Sequence, residues 1–398
     1  MNVVFVVGYH YLTIPIYQRV RAELPDDDIY CFNPKDFIAA DVNRKYFAET
    51  KSQVLSDPNF LELTFTPPWY EKKIPWEQKA PQEKFISYLW YSFFFQKYKK
   101  QLLNEIRACS PDVVVVTSDL FAAPRLIKKY MNDVQLVLVQ PCYLDLWDRV
   151  GPHFLRNNVL RAFFSSFIPK SKIFGMEIRD IDLLVWEEDS LQRFAQLSRS
   201  TVAITHPLHT EKCDKPEITN KKSVAIFLSD FSAVMGLEYQ EKMRSFFREL
   251  IIWTSSRYPT IIKTHPNEDI QIWTDVVNFL DGDVQFVEDF DENTKIFSKS
   301  RVVVSSCSNV GVEARMAGCI SINFLPDETR FSPKFRERFE TYVSKSFVNF
   351  ESLKNFILES MAENNIKNLQ RRVNHRKGSG TYSLVDYLQG IKHKAIKK

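Results

Sequence analysis

The sequence contains Ile261-Ile262-Lys263-Thr264-His265-Pro266 and, farther along, Val302-Val303-Val304-Ser305-Ser306-Cys307-Ser308-Asn309-Val310-Gly311-Val312-Glu313. Each segment begins as an apolar run typical of a buried strand and ends in polar side chains suited to phosphate. Ligands of an open parallel sheet collect beyond the carboxyl ends of its strands. The two endings therefore predict a nucleotide site, and more narrowly a sugar-nucleotide site, around Lys263, His265, Ser305, Ser306 and Glu313.

Strands and helices alternate on both sides of these segments. In the first half, Val3–Val7 reads as a strand followed by a turn and a helix, and Asp112–Val116 leads to a helix that runs through Tyr130. In the second half, strands are predicted near 223–228, 260–264, 284–287, 302–305 and 319–324, with helices between them. This alternation is typical of parallel sheets covered by helices. The predicted fold class is α/β, with two Rossmann-type doubly wound domains that face each other across a cleft.

The length also favours two domains, because 398 residues exceed the size at which a single core usually stops growing. Residues 211–222 are polar and without a period, which predicts a linker. The expected domains are then 1–210 and 223–370. Residues 371–398 form a basic segment and a last helix that we expect to cross back onto the first domain. A further helix is predicted over Asp180–Ser198.

Composition excludes several function classes. The net charge of +4 is too small to argue for nucleic acid. The six cysteines show no C-x-x-C spacing, which indicates a reduced, cytosolic protein without a metal framework. The amino terminus lacks a basic region, and its apolar run is too short for a signal peptide or a membrane span. We therefore expect a cytoplasmic location.

His265 is the first candidate for chemistry. Pro266 makes the backbone after the strand rigid and extended. An imidazole at this place can hydrogen-bond or protonate a departing phosphate oxygen, and Lys263, two residues earlier on the same face, adds positive charge. The alternative is a histidine that stands at a strand end without a role.

Ser305 and Ser306 stand where a strand becomes a helix, so their hydroxyls and the unpaired amides of the helix could hold a phosphate together. Asn309 belongs to the same predicted donor-binding set. Glu313, about two turns into the helix, could bind ribose hydroxyls. The alternative is an ordinary helix cap followed by an acid that complements the helix dipole.

The Lys-x-His-Pro segment, followed by Ser-Ser and a helix with Glu313, resembles the bacterial GT-B glycosyltransferases that use CMP-activated acidic sugars, namely sialyltransferases and Kdo transferases. Val137-Leu138-Val139-Gln140-Pro141 adds a Gln-Pro element that, together with His265-Pro266, resembles the capsule and O-antigen β-Kdo transferases. The resemblance implies that CMP is held by the second domain, with His265 and Lys263 near its phosphate, Ser305 and Ser306 binding it, and Glu313 on the ribose. Gln140 and Pro141 would line the facing wall.

The resemblance implies no metal and no cofactor. A GT-A enzyme would instead need an Asp-x-Asp metal site, and the obvious candidate, Asp26-Asp27-Asp28, reads as a solvated run of charge in a turn.

Asp230 ends the predicted strand segment Ala225–Asp230, the first strand of the second domain, and is the candidate nucleophile. In a transferase that retains configuration, a carboxylate can attack the anomeric carbon and form a covalent intermediate. The alternative is a turn residue before the next helix. A base for the acceptor hydroxyl is not singled out, although His10 and Asp119 follow first-domain strands and are placed better than Asp145, Asp148 and His153. The carboxylate of Kdo could meet Arg149, Arg156, Arg315 or Arg330.

The expected function is transfer of Kdo from CMP-β-Kdo to a bacterial surface glycan, with retention of configuration through Asp230. The alternatives are an inverting CMP-sialyl- or polysialyltransferase, a UDP-sugar 2-epimerase, and a two-domain binding protein without catalysis. The expected partners are the CMP-Kdo donor and a lipid-linked glycan, without nucleic acid, and the chain could belong to a longer multidomain transferase. Aromatic and lysine residues over 88–100 and 163–172 suggest a contact with the inner membrane surface, or else core faces with lysines that reach solvent.

Overall fold

The computed structural model describes residues 1–8, 10–35, 56–67, 81–118, 122–140, 178–185, 200–203, 218–229, 237–265, 268, 270–280, 282–287, 293–325, 340, 343–362 and 383–396. The chain forms two compact units. The first comprises Met1–Glu211 together with Lys377–Lys398, and the second comprises Lys212–Arg376.

The first unit contains a parallel sheet of seven strands in the order β3-β2-β1-β4-β5-β6-β7. The strands are β1 (Asn2–Val6), β2 (Asp28–Asn33), β3 (Phe60–Glu62), β4 (Val113–Val116), β5 (Gln135–Val139), β6 (Asp182–Val185) and β7 (Ser200–Ala203). Its described helices are α1 (His10–Glu23), α2 (Pro81–Ala108), α3 (Ala122–Tyr130) and the carboxyl-terminal helix, numbered α9 below (Leu384–Ile396).

The second unit contains a parallel sheet of six strands in the order β10-β9-β8-β11-β12-β13. The strands are β8 (Ser223–Phe227), β9 (Thr260–Lys263), β10 (Val284–Val287), β11 (Ser300–Ser305), β12 (Ile320–Phe324) and β13 (Lys345–Phe347). Its described helices are α4 (Leu237–Ser255), α5 (Ile270–Asn278), α6 (Asn293–Lys299), α7 (Asn309–Met316) and α8 (Phe350–Met361). The predicted α/β fold with two doubly wound parallel sheets is confirmed.

The central strands are continuous apolar runs because they are covered on both faces. All of Val113–Val116 is buried, and so are all residues of β9, β11 and β12. This is the pattern expected for parallel strands inside a helix-covered sheet. Helix α4 covers its sheet with a stripe at helical spacing that contains Gln240, Met243, Phe247 and Leu250. Gln240 is the polar member of that stripe, and its partners are described below.

Each sheet reverses its strand order once. In the second unit the reversal lies between β8 and β11, whose register pairs Ile226 with Val304. In the first unit it lies between β1 and β4, where the hydroxyls of Thr13 and Thr117 are 2.8 Å apart in the interior. Ligands of open α/β sheets bind beyond the carboxyl ends of the strands at such switch points. The fold therefore directs attention to the residues that follow β8 and β11.

The helix α9 contacts α1 in the first unit, and Lys392 donates a hydrogen bond of 2.8 Å to the carboxylate of Asp27. The interpretation of Asp26-Asp27-Asp28 as a solvated run is wrong for Asp27, whose side chain is only 4% exposed. Burial by itself would raise the pKa of this carboxyl, but hydrogen bonds from Lys392 and from the terminal ammonium outweigh it and hold the pKa below its usual value.

Two sequence-based predictions need correction or refinement. The predicted helix over Asp180–Ser198 is wrong at Asp182–Val185, which is strand β6 between β5 and β7. A short apolar run that is buried on both sides has no period by which to tell strand from helix. The end of the predicted linker is packed in the second unit, where the buried side chain of Lys221 donates to the carbonyl of Ala317 over 2.9 Å.

No helix in the described part of the chain combines the length and apolar character that crossing a membrane requires.

Candidate functional site

Lys263 and His265 stand at the carboxyl end of β9. Lys263 is the last residue of the strand and pairs in register with Phe227 of β8. Its side chain is buried, and its ammonium donates to the carbonyl of Thr264 over 3.2 Å. His265 is half-buried. The structure therefore places a cation and an imidazole together at this edge of the sheet, beside the end of β8.

The turn from β11 into α7 stands at the same edge, on the other side of β8. Ser306 is 1% exposed, and no hydrogen-bond partner is found for its hydroxyl within the described structure. Ser308 caps α7, with its hydroxyl accepting from the amide of Val310. A buried hydroxyl without a partner is costly, and it stands next to a helix terminus that favours anions. Ser306 is therefore the best placed of the predicted serines to meet a ligand phosphate.

A strained residue shapes this turn. Cys307 has a φ of +47°, in the left-handed region that side chains other than glycine seldom adopt. Its amide donates to the side-chain oxygen of Asn323 over 2.7 Å, and the amide nitrogen of Asn323 donates to Ser346 over 3.3 Å. Asn323 is completely buried near the end of β12. Sequence reasoning missed it, although a polar residue within the apolar run Ile320–Phe324 was an available signal.

Ser305 occupies a different environment from Ser306. It is fully buried at the end of β11, in register with Asn323, and its hydroxyl lies against Gly311 beneath α7. The structure therefore does not bring the two predicted serines to the same surface. Asn309 is the first residue of α7 and Glu313 lies one turn later, and both are half-buried.

The end of β8 links the two polar endings. Leu228 donates its amide to the carbonyl of Lys263 over 2.9 Å, which joins the segment after β8 to β9. The hydroxyl of Ser229 donates to the carbonyl of Ser306 over 3.2 Å, which joins the same segment to the turn after β11. Asp230, the predicted nucleophile, follows immediately in sequence and lies outside the described residues.

Glu268 is an acidic residue that sequence reasoning did not select. Its carboxylate is 1% exposed and accepts from Arg244 over 2.9 and 3.1 Å, from the indole of Trp273 over 3.3 Å and from Gln240. Burial would lower the pKa of Arg244, but the bonds and charge of Glu268 more than offset this and raise it. Arg244 and Glu268 thus form a hydrogen-bonded ion pair that joins α4 to the residue three positions after His265.

Some of the remaining predicted residues belong to the described part of the chain and others do not. Gln140 is fully buried at the end of β5, where its backbone amide donates to Leu184 over 2.9 Å. His10 begins α1, but its side chain is outside the description, as are Asp119 and Pro141. Arg315, a candidate for the sugar carboxylate, donates to the carbonyl of Val343 over 2.8 Å, and burial lowers its pKa. The other candidate bases and arginines, Asp145, Asp148, His153, Arg149, Arg156 and Arg330, lie outside the described residues.

A search of the described residues for clusters of three or more histidine, cysteine, aspartate or glutamate side chains that could hold a metal ion found none.

No family model matches the chain, and no curated protein matches it. Solved structures do match. The UDP-GlcNAc 2-epimerase of Neisseria meningitidis bound to UDP-GlcNAc is similar over 100% of both chains, with 11% identity and a TM-score of 0.56. The calicheamicin glycosyltransferase CalG4 is similar over 99% of this chain and 97% of its own, with 13% identity and a TM-score of 0.55.

The wall teichoic acid polymerase TagF, as an H444N variant, is similar over 100% of this chain and 89% of its own, with 10% identity and a TM-score of 0.54. At these identities the likeness shows the fold alone. The fold is that of the GT-B-like proteins, a group that here includes glycosyltransferases and 2-epimerases.

Proposed function

We propose that the chain is a GT-B glycosyltransferase whose second unit binds a nucleotide-activated sugar at the ends of β8, β9 and β11. One observation carries the proposal: the buried hydroxyl of Ser306, for which the described residues supply no hydrogen-bond partner, shares an edge of the sheet with Lys263 and His265. β8 separates the two groups, so β9 and β11 are about 10 Å apart, a span that a nucleotide with its phosphate can bridge. Cation, imidazole, hydroxyl and helix terminus together suit a phosphate leaving group.

The donor we propose is CMP-Kdo. Support comes from the resemblance of Lys263-x-His265-Pro266, Ser305-Ser306 and Gln140-Pro141 to the β-Kdo transferases. Glu313, in α7, would bind the ribose hydroxyls, and Asn309 would contribute to the donor site. The first unit would bind a lipid-linked glycan acceptor. The proposed transfer would then take place at the cytoplasmic face of a membrane.

The proposed reaction retains configuration in two displacements. The carboxylate of Asp230 attacks the anomeric carbon, and the bond from that carbon to the phosphate oxygen of CMP breaks, so that CMP leaves with the electron pair. Lys263 and His265 stabilise the charge that develops on the phosphate. The acceptor hydroxyl then attacks the same carbon, gives its proton to a base and releases Asp230. His10 and Asp119 are the proposed candidates for that base.

A direct test uses CMP-Kdo generated in place and intact-mass analysis of the protein. The proposal expects a Kdo adduct on the wild-type chain that Asp230→Ala abolishes and that Asp283→Ala, at an exposed aspartate of the same unit, leaves unchanged. Turnover without an adduct, retained in Asp230→Asn, would favour the inverting sialyl- or polysialyltransferase instead.

A 2-epimerase acting on a UDP-sugar is the second candidate, because the Neisseria 2-epimerase matches this chain over its whole length. Calorimetric titration with CMP, UDP and GDP separates the two candidates. The Kdo transferase proposal expects CMP to bind more tightly than UDP and GDP. Binding of UDP alone, with deuterium incorporated from D2O at C2 of UDP-GlcNAc, would establish the epimerase and overturn the CMP donor. Binding without any turnover would leave a ligand-binding protein.

A further inference from the structure

We infer that Gln240 and Glu268 are positioning residues that hold the loop of His265 and the turn of Ser306 in a fixed mutual arrangement through one buried chain of hydrogen bonds. The inference rests on the proposed function, since it concerns how the proposed phosphate groups are placed. It adds two residues outside the predicted site, one on a helix and one in the loop after β9.

Glu268 connects the loop of His265 to two helices through its backbone amide and its carboxylate. Its backbone amide donates to the carbonyl of His265 over 2.9 Å, which joins the two residues directly. Its carboxylate is tied to two helices, to α4 through Arg244 and Gln240 and to α5 through Trp273. Four N–H groups, two from Arg244 and one each from Trp273 and Gln240, fix both the position and the orientation of the carboxylate. The backbone of His265 is thereby attached to two helices of the second unit.

Gln240 extends the chain to the other polar ending. Its side-chain nitrogen donates both to the carboxylate of Glu268 and, over 3.3 Å, to the carbonyl of Ser229. The hydroxyl of Ser229 in turn donates to the carbonyl of Ser306 over 3.2 Å. The path from the His265 loop to the Ser306 turn therefore runs through buried groups, since Gln240 is 1% and Ser229 9% exposed.

The chemistry of this path argues for positioning rather than for simple space filling. A buried ion pair usually adds little stability compared with well-packed apolar side chains of the same volume. Hydrogen bonds are directional, however, so the path from Glu268 through Gln240 and Ser229 holds the backbone of His265 and that of Ser306 at a set distance from each other. Phosphate-binding groups need that accuracy, because a misplacement of about 1 Å can cost a hundredfold in rate.

The test compares Glu268→Gln with Glu241→Gln. Both variants remove a carboxylate that pairs with Arg244, but Glu241 is exposed and its salt bridge runs to Arg244 on its own helix. Chains labelled with 13C at histidine Cε1 report the position of His265 in the absence of any nucleotide, and calorimetry with CMP and UDP reports binding. We expect Glu268→Gln to shift the His265 resonance and to weaken binding of the preferred nucleotide at least tenfold. Glu241→Gln should change affinity less than twofold.

A second, milder variant keeps the inference testable if Glu268→Gln does not fold. Gln240→Met keeps the Glu268–Arg244 pair and the volume of the side chain but cannot donate to Ser229 or Glu268, and it should shift the same resonance. An unchanged His265 resonance in a folded Gln240→Met chain, with wild-type affinity, would overturn the inference. A shifted resonance in a protein that binds neither CMP nor UDP nor GDP would uphold the positioning while refuting the nucleotide proposal.

Discussion

The hydroxyl oxygen of Ser305 lies 2.9 Å from the position that a Cβ atom on Gly311 would occupy, and the hydroxyl oxygen of Ser321 lies 3.2 Å from it. Helix α7 therefore approaches β11 and β12 this closely because residue 311 has no side chain. The approach fixes where the first turn of α7 stands relative to Ser306. The glycine thus positions α7 beside the candidate site through packing.

Gly311→Ala should destabilise the protein by about 1–3 kcal/mol, because the new methyl group overpacks the space beneath α7. Ser305→Ala removes the nearest atom, so the double variant Ser305→Ala/Gly311→Ala should recover part of that loss. Chemical denaturation of the four proteins gives the coupling energy directly. Strictly additive effects would show that the two positions do not compete for the same space.

Ser306→Ala should weaken the binding of CMP about fivefold to tenfold, the effect of a net hydrogen bond of about 1–1.5 kcal/mol. Ser305→Ala should leave the affinity within twofold, since the Ser305 hydroxyl faces Gly311. Neither hydroxyl has a hydrogen-bond partner within the described structure, so both variants should unfold at nearly the wild-type denaturant concentration. A larger loss of affinity in Ser305→Ala than in Ser306→Ala, measured by calorimetry, would reverse the assignment.

Asn323→Leu should destabilise the protein by about 1–3 kcal/mol, because the buried amide of Cys307 loses its acceptor. The strained turn should also relax, and nucleotide affinity should fall with it. Ser346→Ala is the matched control, since it removes the bond of 3.3 Å that the side-chain nitrogen of Asn323 donates and leaves the bond to Cys307 in place. Urea unfolding measures both effects, and equal losses would contradict the role given to the Cys307 bond.

Asp27→Asn should destabilise the first unit by about 1–2 kcal/mol at neutral pH, less than a fully buried pair would lose because Lys392 is 37% exposed. The folded state lowers the pKa of Asp27, so this stabilisation is present above the unfolded pKa of about 4 and is lost as the pH falls through the folded pKa.

Urea unfolding of the wild-type and Asp27→Asn chains from pH 7 down to pH 3 should therefore show two curves that converge in acid. Asp26→Asn, at the exposed neighbour, should follow the wild-type curve throughout. A difference that stays constant with pH would mean that Asp27 acts through packing alone.

Much of the fold could be predicted from local pattern. Runs such as Val113–Val116 and Val302–Val304 are apolar throughout, and short apolar runs that end at turn signals favour strands covered on both faces. The prediction was wrong where the same pattern occurs without a turn signal, as at Asp182–Val185. Strands β3 and β13 were not predicted, since strands of three residues at a sheet edge carry little signal.

The candidate site was predictable in part for the same reason. Lys263 ends β9, His265 and Ser306 follow strand ends, and strand ends in a parallel sheet meet at one edge. Ser305 and Ser306 are neighbours of identical chemistry, and the sequence could not tell which of them faces α7. Successive residues of a strand point to opposite faces, so that distinction depends on where the helix packs.

The sequence by itself determined most of the buried strands and the polar residues that follow them, because burial and turn formation act on residues that are neighbours in the chain. Only the tertiary structure decided that Gln240 joins Ser229 to Glu268, that Asn323 holds the strained Cys307, and that Gly311 admits the Ser305 hydroxyl. These contacts join residues far apart in the chain, and their geometry depends on how the helices pack against the sheet. No local propensity encodes that arrangement, so the side chains that position the candidate site became visible only in the folded protein.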